Sequence, residues 1–219
     1  MTLDVREALR YLGVKGEADP DLARQVAEVA AGLTGEVIPR YTYRVFDLEK
    51  AEGGCRLTGT AVTLPGATAG KMLGGCHKVA LLACTLGARF DQLLLATQAR
   101  DMARAVILDA CGGAWVEAGC DAVEEELRAR LPGLYLTDRF SPGYGDLPLA
   151  LQRELCALLD TPKRLGLHVT DSQMLNPVKS VTALVGIADT PQPARVRGCD
   201  VCNLRKTCTL AREGESCGR

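Results

Sequence analysis

Apolar positions recur at helical spacing over much of the chain. Leu3, Ala8, Leu9 and Leu12 share one face of a segment at 2–12, which predicts a helix. Asp19-Pro20 has the form of an N-cap followed by proline at the first helical position. Val26, Val29, Ala30 and Leu33 then hold one side until Gly35. The period returns at 88–98 through Leu93, Leu94 and Ala96, and at 101–130 through Ala105, Ile107, Leu108, Cys111, Trp115, Ala118, Val123 and Leu127. Gly112-Gly113 falls inside the longer helix, where glycine is unfavourable unless packing requires it. A further helix is predicted at Leu149–Leu159, ended by Asp160-Thr-Pro162.

Between these segments the pattern changes. Tyr41–Leu48 alternates, with Tyr41, Tyr43, Val45 and Asp47 on one side. Arg56–Leu64 predicts a second strand, stopped by Pro65-Gly66. Val79–Cys84 is an apolar run of buried-strand length, and Leu165–Val169 and Val181–Ile187 are the last strand candidates. The expected fold class is α+β, with helices packed around a twisted, largely antiparallel sheet. Residues 1–188 form the expected domain, N-terminal helices at 1–35 included; 189–198 read as a linker and 199–219 as a small cysteine-rich module.

Composition narrows the function. A net charge of -1 and 4% aromatic residues argue against nucleic acid as a partner. No apolar stretch approaches the ~20 residues of a membrane span, and the first residues lack a signal-peptide plan, so a cytoplasmic protein without a membrane partner is expected. Gly66-Ala-Thr-Ala-Gly70-Lys71-Met72 resembles a phosphate loop but has three residues between its glycines and Met after Lys, so it reads as an ordinary helix start. His77 and His168 each stand alone and are not expected as metal ligands.

Four of the ten cysteines stand at Cys199, Cys202, Cys208 and Cys217. Cys199-x2-Cys202 puts two thiolates on one turn, and Cys208 and Cys217 complete a candidate four-thiolate metal site. The spacing Cys208-x8-Cys217 is not a zinc knuckle; an iron–sulfur cluster tolerates it, so both zinc and iron–sulfur stay open. Cys55, Cys76, Cys84, Cys111, Cys120 and Cys156 lie in apolar surroundings and are expected as small core residues.

Arg139-Phe-Ser-Pro142-Gly143-Tyr144 resembles the Arg-x-x-Pro-Gly-Tyr signature of the activation (reactivation) domain of cobalamin-dependent methionine synthase. Taken alone, the hexapeptide would equally suit a Pro-Gly turn with a surface arginine. Its surroundings extend the likeness over roughly 40–188: a long glutamate-bearing helix before it, a helix after it, and then Leu167–Ser172, Met174, Asn176-Pro177 and Ser180. Thr85-Leu-Gly87 and Asp109-Ala-Cys-Gly look like features of short, free-standing relatives.

The resemblance implies S-adenosylmethionine as ligand and a methyltransferase-related role in methionine biosynthesis. In that role a partner's cobalamin, oxidised and inactive, is reduced by one electron and trapped by methylation. Arg139 would hold the ligand's carboxylate, because a guanidinium matches a planar carboxylate with two hydrogen bonds. Ser141 and Gly143 would offer backbone groups, Tyr144 would lie near the reactive methyl, and Glu117 would pair with the amine or the ribose. A reduced cobalt is itself the nucleophile, so no general base is needed. The chain carries no Asp-x-His-x-x-Gly signature for cobalt ligation, so its partner would be a separate methionine synthase or another corrinoid protein. Two other readings remain: a non-catalytic module that docks on a corrinoid protein with a structural zinc, and an iron–sulfur electron donor.

Overall fold

A computed structural model of the chain describes residues 1–193 and, beyond them, 206, 207 and 212. In chain order the first elements are α1 (Val5–Tyr11), α2 (Pro20–Glu36), β1 (Arg40–Ala51), β2 (Gly54–Leu57), β3 (Thr63–Pro65), α3 (Ala67–Leu73) and β4 (Lys78–Thr85). Then follow α4 (Gly87–Gln98), α5 (Met102–Arg130), β5 (Tyr135–Leu136), α6 (Leu151–Leu158), α7 (Thr161–Leu165), β6 (His168–Val169), β7 (Leu175–Asn176) and β8 (Ser180–Ala188). Two compact units interleave along the chain. One gathers Met1–Thr42, Ala83–Glu126 and Cys156–Val181; the other gathers Tyr43–Leu82, Leu127–Leu155 and the described residues from Thr182 onward.

The first unit is mainly helical. Asp4 starts α1 by accepting from the N–H groups of Arg6 and Glu7 at 2.9 and 3.4 Å, so the helix begins later than the apolar pattern at 2–12 suggests. Asp19 caps α2 in the same way, through Asp21 and Leu22 at 3.0 and 3.1 Å, with Pro20 behind it. The face of α2 expected from the pattern is the one that is buried: Val26, Val29, Ala30 and Leu33. Trp115 of α5 is buried, and its indole N–H donates to the carbonyl of Val37 at 2.7 Å, which closes the end of α2.

Gly112 has the packing reason that its place in α5 demanded. A Cβ there would run into the ring of Phe90, which is fully buried on α4. Gly112→Ala therefore sets two effects against each other. Helix propensity favours alanine by about 1 kcal/mol, whereas forcing an atom into a filled site costs about 1–3 kcal/mol. The clash is with a ring that has no free space to enter, so we expect net destabilisation, read as a lower Tm by circular dichroism. Gly113→Ala is the control: its Cβ would come only to 3.2 Å from the rim of the half-exposed Tyr11 ring.

The second unit is built on the sheet, whose strand order is β3-β2-β1-β4-β8-β5. β1 and β2 pair antiparallel from Leu48↔Leu57 to Ala51↔Gly54, β2 and β3 from Gly54↔Pro65 to Arg56↔Thr63, and β5 and β8 through Tyr135↔Ala188 and Leu136↔Ile187. β4 and β8 also run antiparallel, with His77 N–H bonded to Ile187 O at one end and Leu86 N–H to Lys179 O at the other. β1, β4 and β8 begin or end in the helical unit. Val79 to Cys84, the all-apolar run, is buried throughout on β4. A separate two-stranded ribbon pairs β6 with β7. The α+β class with a largely antiparallel sheet is therefore what the chain forms.

Four local expectations change. The strand expected at Arg56–Leu64 is a hairpin, because Gly59 at φ +77° turns the chain between β2 and β3 and Leu57 N–H bonds back to Val62 O. On β1 the buried side chain is Phe46, on the opposite side from the Tyr41/Tyr43/Val45 row. Val45 is exposed and Tyr43 packs instead under the guanidinium of Arg130. Asp160-Thr-Pro162 does not only end a helix; it opens α7, with proline in the first turn. α7 takes up Leu165, which leaves only His168–Val169 of that stretch as strand.

The scattered cysteines behave as core residues. Cys55, Cys84, Cys111, Cys120 and Cys156 are buried and free, and Cys76 is half-buried. Burial pushes the thiols of Cys76 and Cys111 up to about 11, with the neighbouring Cys55 adding to the effect at Cys76. Thiols held protonated in this way are poor nucleophiles.

Candidate functional site

The Arg139–Asp146 loop belongs to the sheet unit and is fixed at three points. It starts from Phe140, which is buried and exchanges two hydrogen bonds with Leu184 of β8, at 3.0 and 2.8 Å. Extended backbone alternates its side chains. With Phe140 turned into the core, its neighbours Arg139 and Ser141 are both left half-buried. The second fixed point is Leu147, buried and bonded to the loop through Leu147 N–H to Tyr144 O at 3.0 Å and Gly143 N–H to Leu147 O at 2.8 Å.

Between these points the chain makes a tight turn at Ser141–Tyr144, closed by Tyr144 N–H to Ser141 O at 3.0 Å. Pro142 and Gly143 are its central residues, and Gly143 has φ +91°. That is the arrangement of a type II turn, with proline fixing the first position and glycine taking the positive φ of the second. The turn leaves Tyr144 51% exposed.

The third fixed point was not legible in the sequence. Asp146 reaches the start of α3, where its carboxylate accepts from Ala67 N–H at 2.6 Å and Thr68 N–H at 2.9 Å. Gly66 and Gly145 make room: a Cβ at Gly66 would lie 2.7 Å from the Asp146 carboxylate, and one at Gly145 would strike the Thr68 hydroxyl. The near phosphate-loop sequence is thus a helix start whose amides are taken by the chain's own carboxylate. The Thr68 hydroxyl foremost, then the amides of Thr68 and Ala67, hold the Asp146 carboxyl down at about 2. A carboxyl depressed on folding stabilises the protein above its ordinary pKa of about 4 and loses that contribution as pH falls through about 2. Asp146→Asn should therefore be less stable than wild type at neutral pH. The gap should narrow between about pH 4 and pH 2, as followed by denaturant melts at each pH.

No protein-family model matches the sequence, and no curated protein matches it. Among solved structures, the chain is similar to the crystal structure of the MetH reactivation domain bound to AdoHcy. The TM-score is 0.68 at 17% identity, covering 97% of this chain and 83% of that one. The chain has the fold of the MetH reactivation domain.

On this reactivation-domain fold, Arg139, Ser141, Gly143 and Tyr144 come together in one pinned loop. Glu117 belongs to the helical unit, half-buried on α5, where its charge helps to raise the pKa of Tyr11. Cys199, Cys202, Cys208 and Cys217 lie outside the described residues. Among the described residues no cluster of three or more His, Cys, Asp or Glu side chains could hold a metal, and no helix is long and apolar enough to cross a membrane.

Proposed function

We propose that this chain binds S-adenosylmethionine at the Arg139–Tyr144 loop and supports the reductive methylation of a cobalamin held by a separate methionine synthase or another corrinoid protein. The observation that carries the reading is the loop itself. On the fold of a reactivation domain whose solved relative binds AdoHcy, the demethylated form of that ligand, an arginine, a Pro-Gly turn and an exposed tyrosine stand within six residues and are held in place.

In this reading the residues bind and orient. The Arg139 guanidinium takes the ligand's carboxylate in a bidentate pair. The Pro142-Gly143 turn lets backbone approach closely, and the Tyr144 ring covers the sulfonium side, where an aromatic face favours positive charge. The sulfonium is already activated and a reduced corrinoid supplies the nucleophile, so orientation is the chain's contribution. The reading uses the loop alone and assigns no step to Glu117. The four tail thiolates remain the proposed iron–sulfur or zinc ligands, with no step routed through them.

Calorimetric titration of S-adenosylmethionine into the full, anaerobically purified chain tests the proposal. Saturable one-to-one binding, lost on replacing Arg139, is the expected result. Absence of binding to folded protein, with or without a corrinoid partner present, would overturn it.

A further inference from the structure

The helical unit contains a cleft of about 570 Å³ that the proposed function does not use. That volume falls within the roughly 300–1,000 Å³ of small-molecule sites. None of its lining residues belongs to the Arg139–Asp146 loop. One wall is α5, where Met102, Val106, Asp109 and Gly113 recur every three or four residues and so share a face. Tyr11 and Lys179 stand against that wall.

The lining is apolar at one end and ionic at the other. Met102 and Val106 are 61% and 53% exposed, so this stretch of the helix presents apolar side chains to the open cleft. At Asp109 a carboxylate oxygen accepts from Lys179 Nζ at 2.9 Å. The lysine side chain is only 20% exposed and its charge is matched, whereas the aspartate side chain is 50% exposed. The aspartate is thus the more open member of the pair.

Gly113 lets the Tyr11 ring lie close on α5. Burial, the hydrogen bond to Glu7 and the charges of Glu117 and Glu7 raise the Tyr11 phenol well above its usual value, and Arg10 offsets only part of this. The phenol stays neutral, and the Glu7 carboxylate beside it is ion-paired with Arg10, whose guanidinium lies over the Tyr11 ring.

We propose that this cleft binds an amphipathic organic cation, its ammonium or amidinium head on Asp109 and its apolar body along Met102 and Val106. An anion of the same shape is disfavoured, because the lysine that would receive it is the more buried member of the pair, whereas the aspartate stands half exposed.

Two probes of matched size and opposite charge test this on the full chain: 4-phenylbutylammonium and 5-phenylpentanoate, titrated by amide NMR. The ammonium should bind saturably, with shifts centred on Val106, Asp109 and Gly113, and the carboxylate should not. Asp109→Asn should weaken the ammonium roughly tenfold, the weight of one charge-assisted hydrogen bond. Val106→Trp, at an exposed position that tolerates a larger side chain, should fill the cleft and abolish binding. Equal binding of both probes, no saturable binding of the ammonium, or unchanged affinity in folded Asp109→Asn would each overturn the proposal. If Asp109→Asn does not fold, Val106→Trp decides: retained binding refutes the site. Failure here leaves the Arg139–Tyr144 reading standing, because the two rest on different residues.

Discussion

Arg139→Ala is expected to weaken S-adenosylmethionine binding roughly 10- to 150-fold, the equivalent of about 1.5–3 kcal/mol for hydrogen bonds to a charged group. The fold should survive the change. The stretch is held by Phe140, whose side chain is buried and whose backbone pairs with Leu184, while Arg139 itself is only half-buried. Arg139→Lys should recover part of the affinity and not all of it, since an ammonium keeps the charge but lacks the planar pair of donors. Calorimetry on the three proteins, each shown folded by its melt, measures this. Equal affinity in all three would remove Arg139 from the site and leave the fold without the ligand contact we assign to it.

Strong periodicity was a sound guide to the fold. The α2 face from Val26 to Leu33, the long α5 and the buried run on β4 all follow from burial alone, because each is long or apolar enough for one period to dominate. Short elements were harder to read. Nothing in the run Arg56–Leu64 shows that Gly59 reverses the chain, and one aromatic, Phe46, decides the buried side of β1 against three alternating neighbours. The site divides in the same way. The Pro142-Gly143 turn was legible because its residues dictate its backbone. The Asp146 clamp was not, because the helix start it caps lies 78 residues earlier in the sequence.

Gly186→Val should be among the most damaging single changes in the sheet unit. Gly186 lies near the end of β8, paired to Thr137 by two hydrogen bonds: Thr137 N–H to Gly186 O at 2.9 Å and Gly186 N–H to Thr137 Oγ1 at 2.8 Å. A Cβ at this position would lie 2.6 Å from Cys76 Sγ, 2.9 Å from Leu73 Cδ2 and 2.9 Å from Thr137 Cγ2. Three segments close on one point, and the atoms belong to buried or half-buried side chains with little room to retreat. Overpacking of this kind costs about 1–3 kcal/mol, and valine, with two further methyl groups, belongs at the upper end. For a chain of this length that is a fall in Tm of roughly 5–10 °C. The damage should reach the loop as well. Thr137 is two residues before Arg139, and Leu184, two residues before Gly186, holds Phe140. A displaced Thr137 shifts the arginine, so S-adenosylmethionine affinity should fall along with stability. Adding Cys76→Ala removes the nearest of the three clashing atoms and should restore part of both losses. If the double variant melts no higher than Gly186→Val, the crowding around Gly186 is not what sets its cost. If stability falls but affinity does not, the loop is fixed by Phe140, Leu147 and Asp146 independently of the β8 pairing at Thr137.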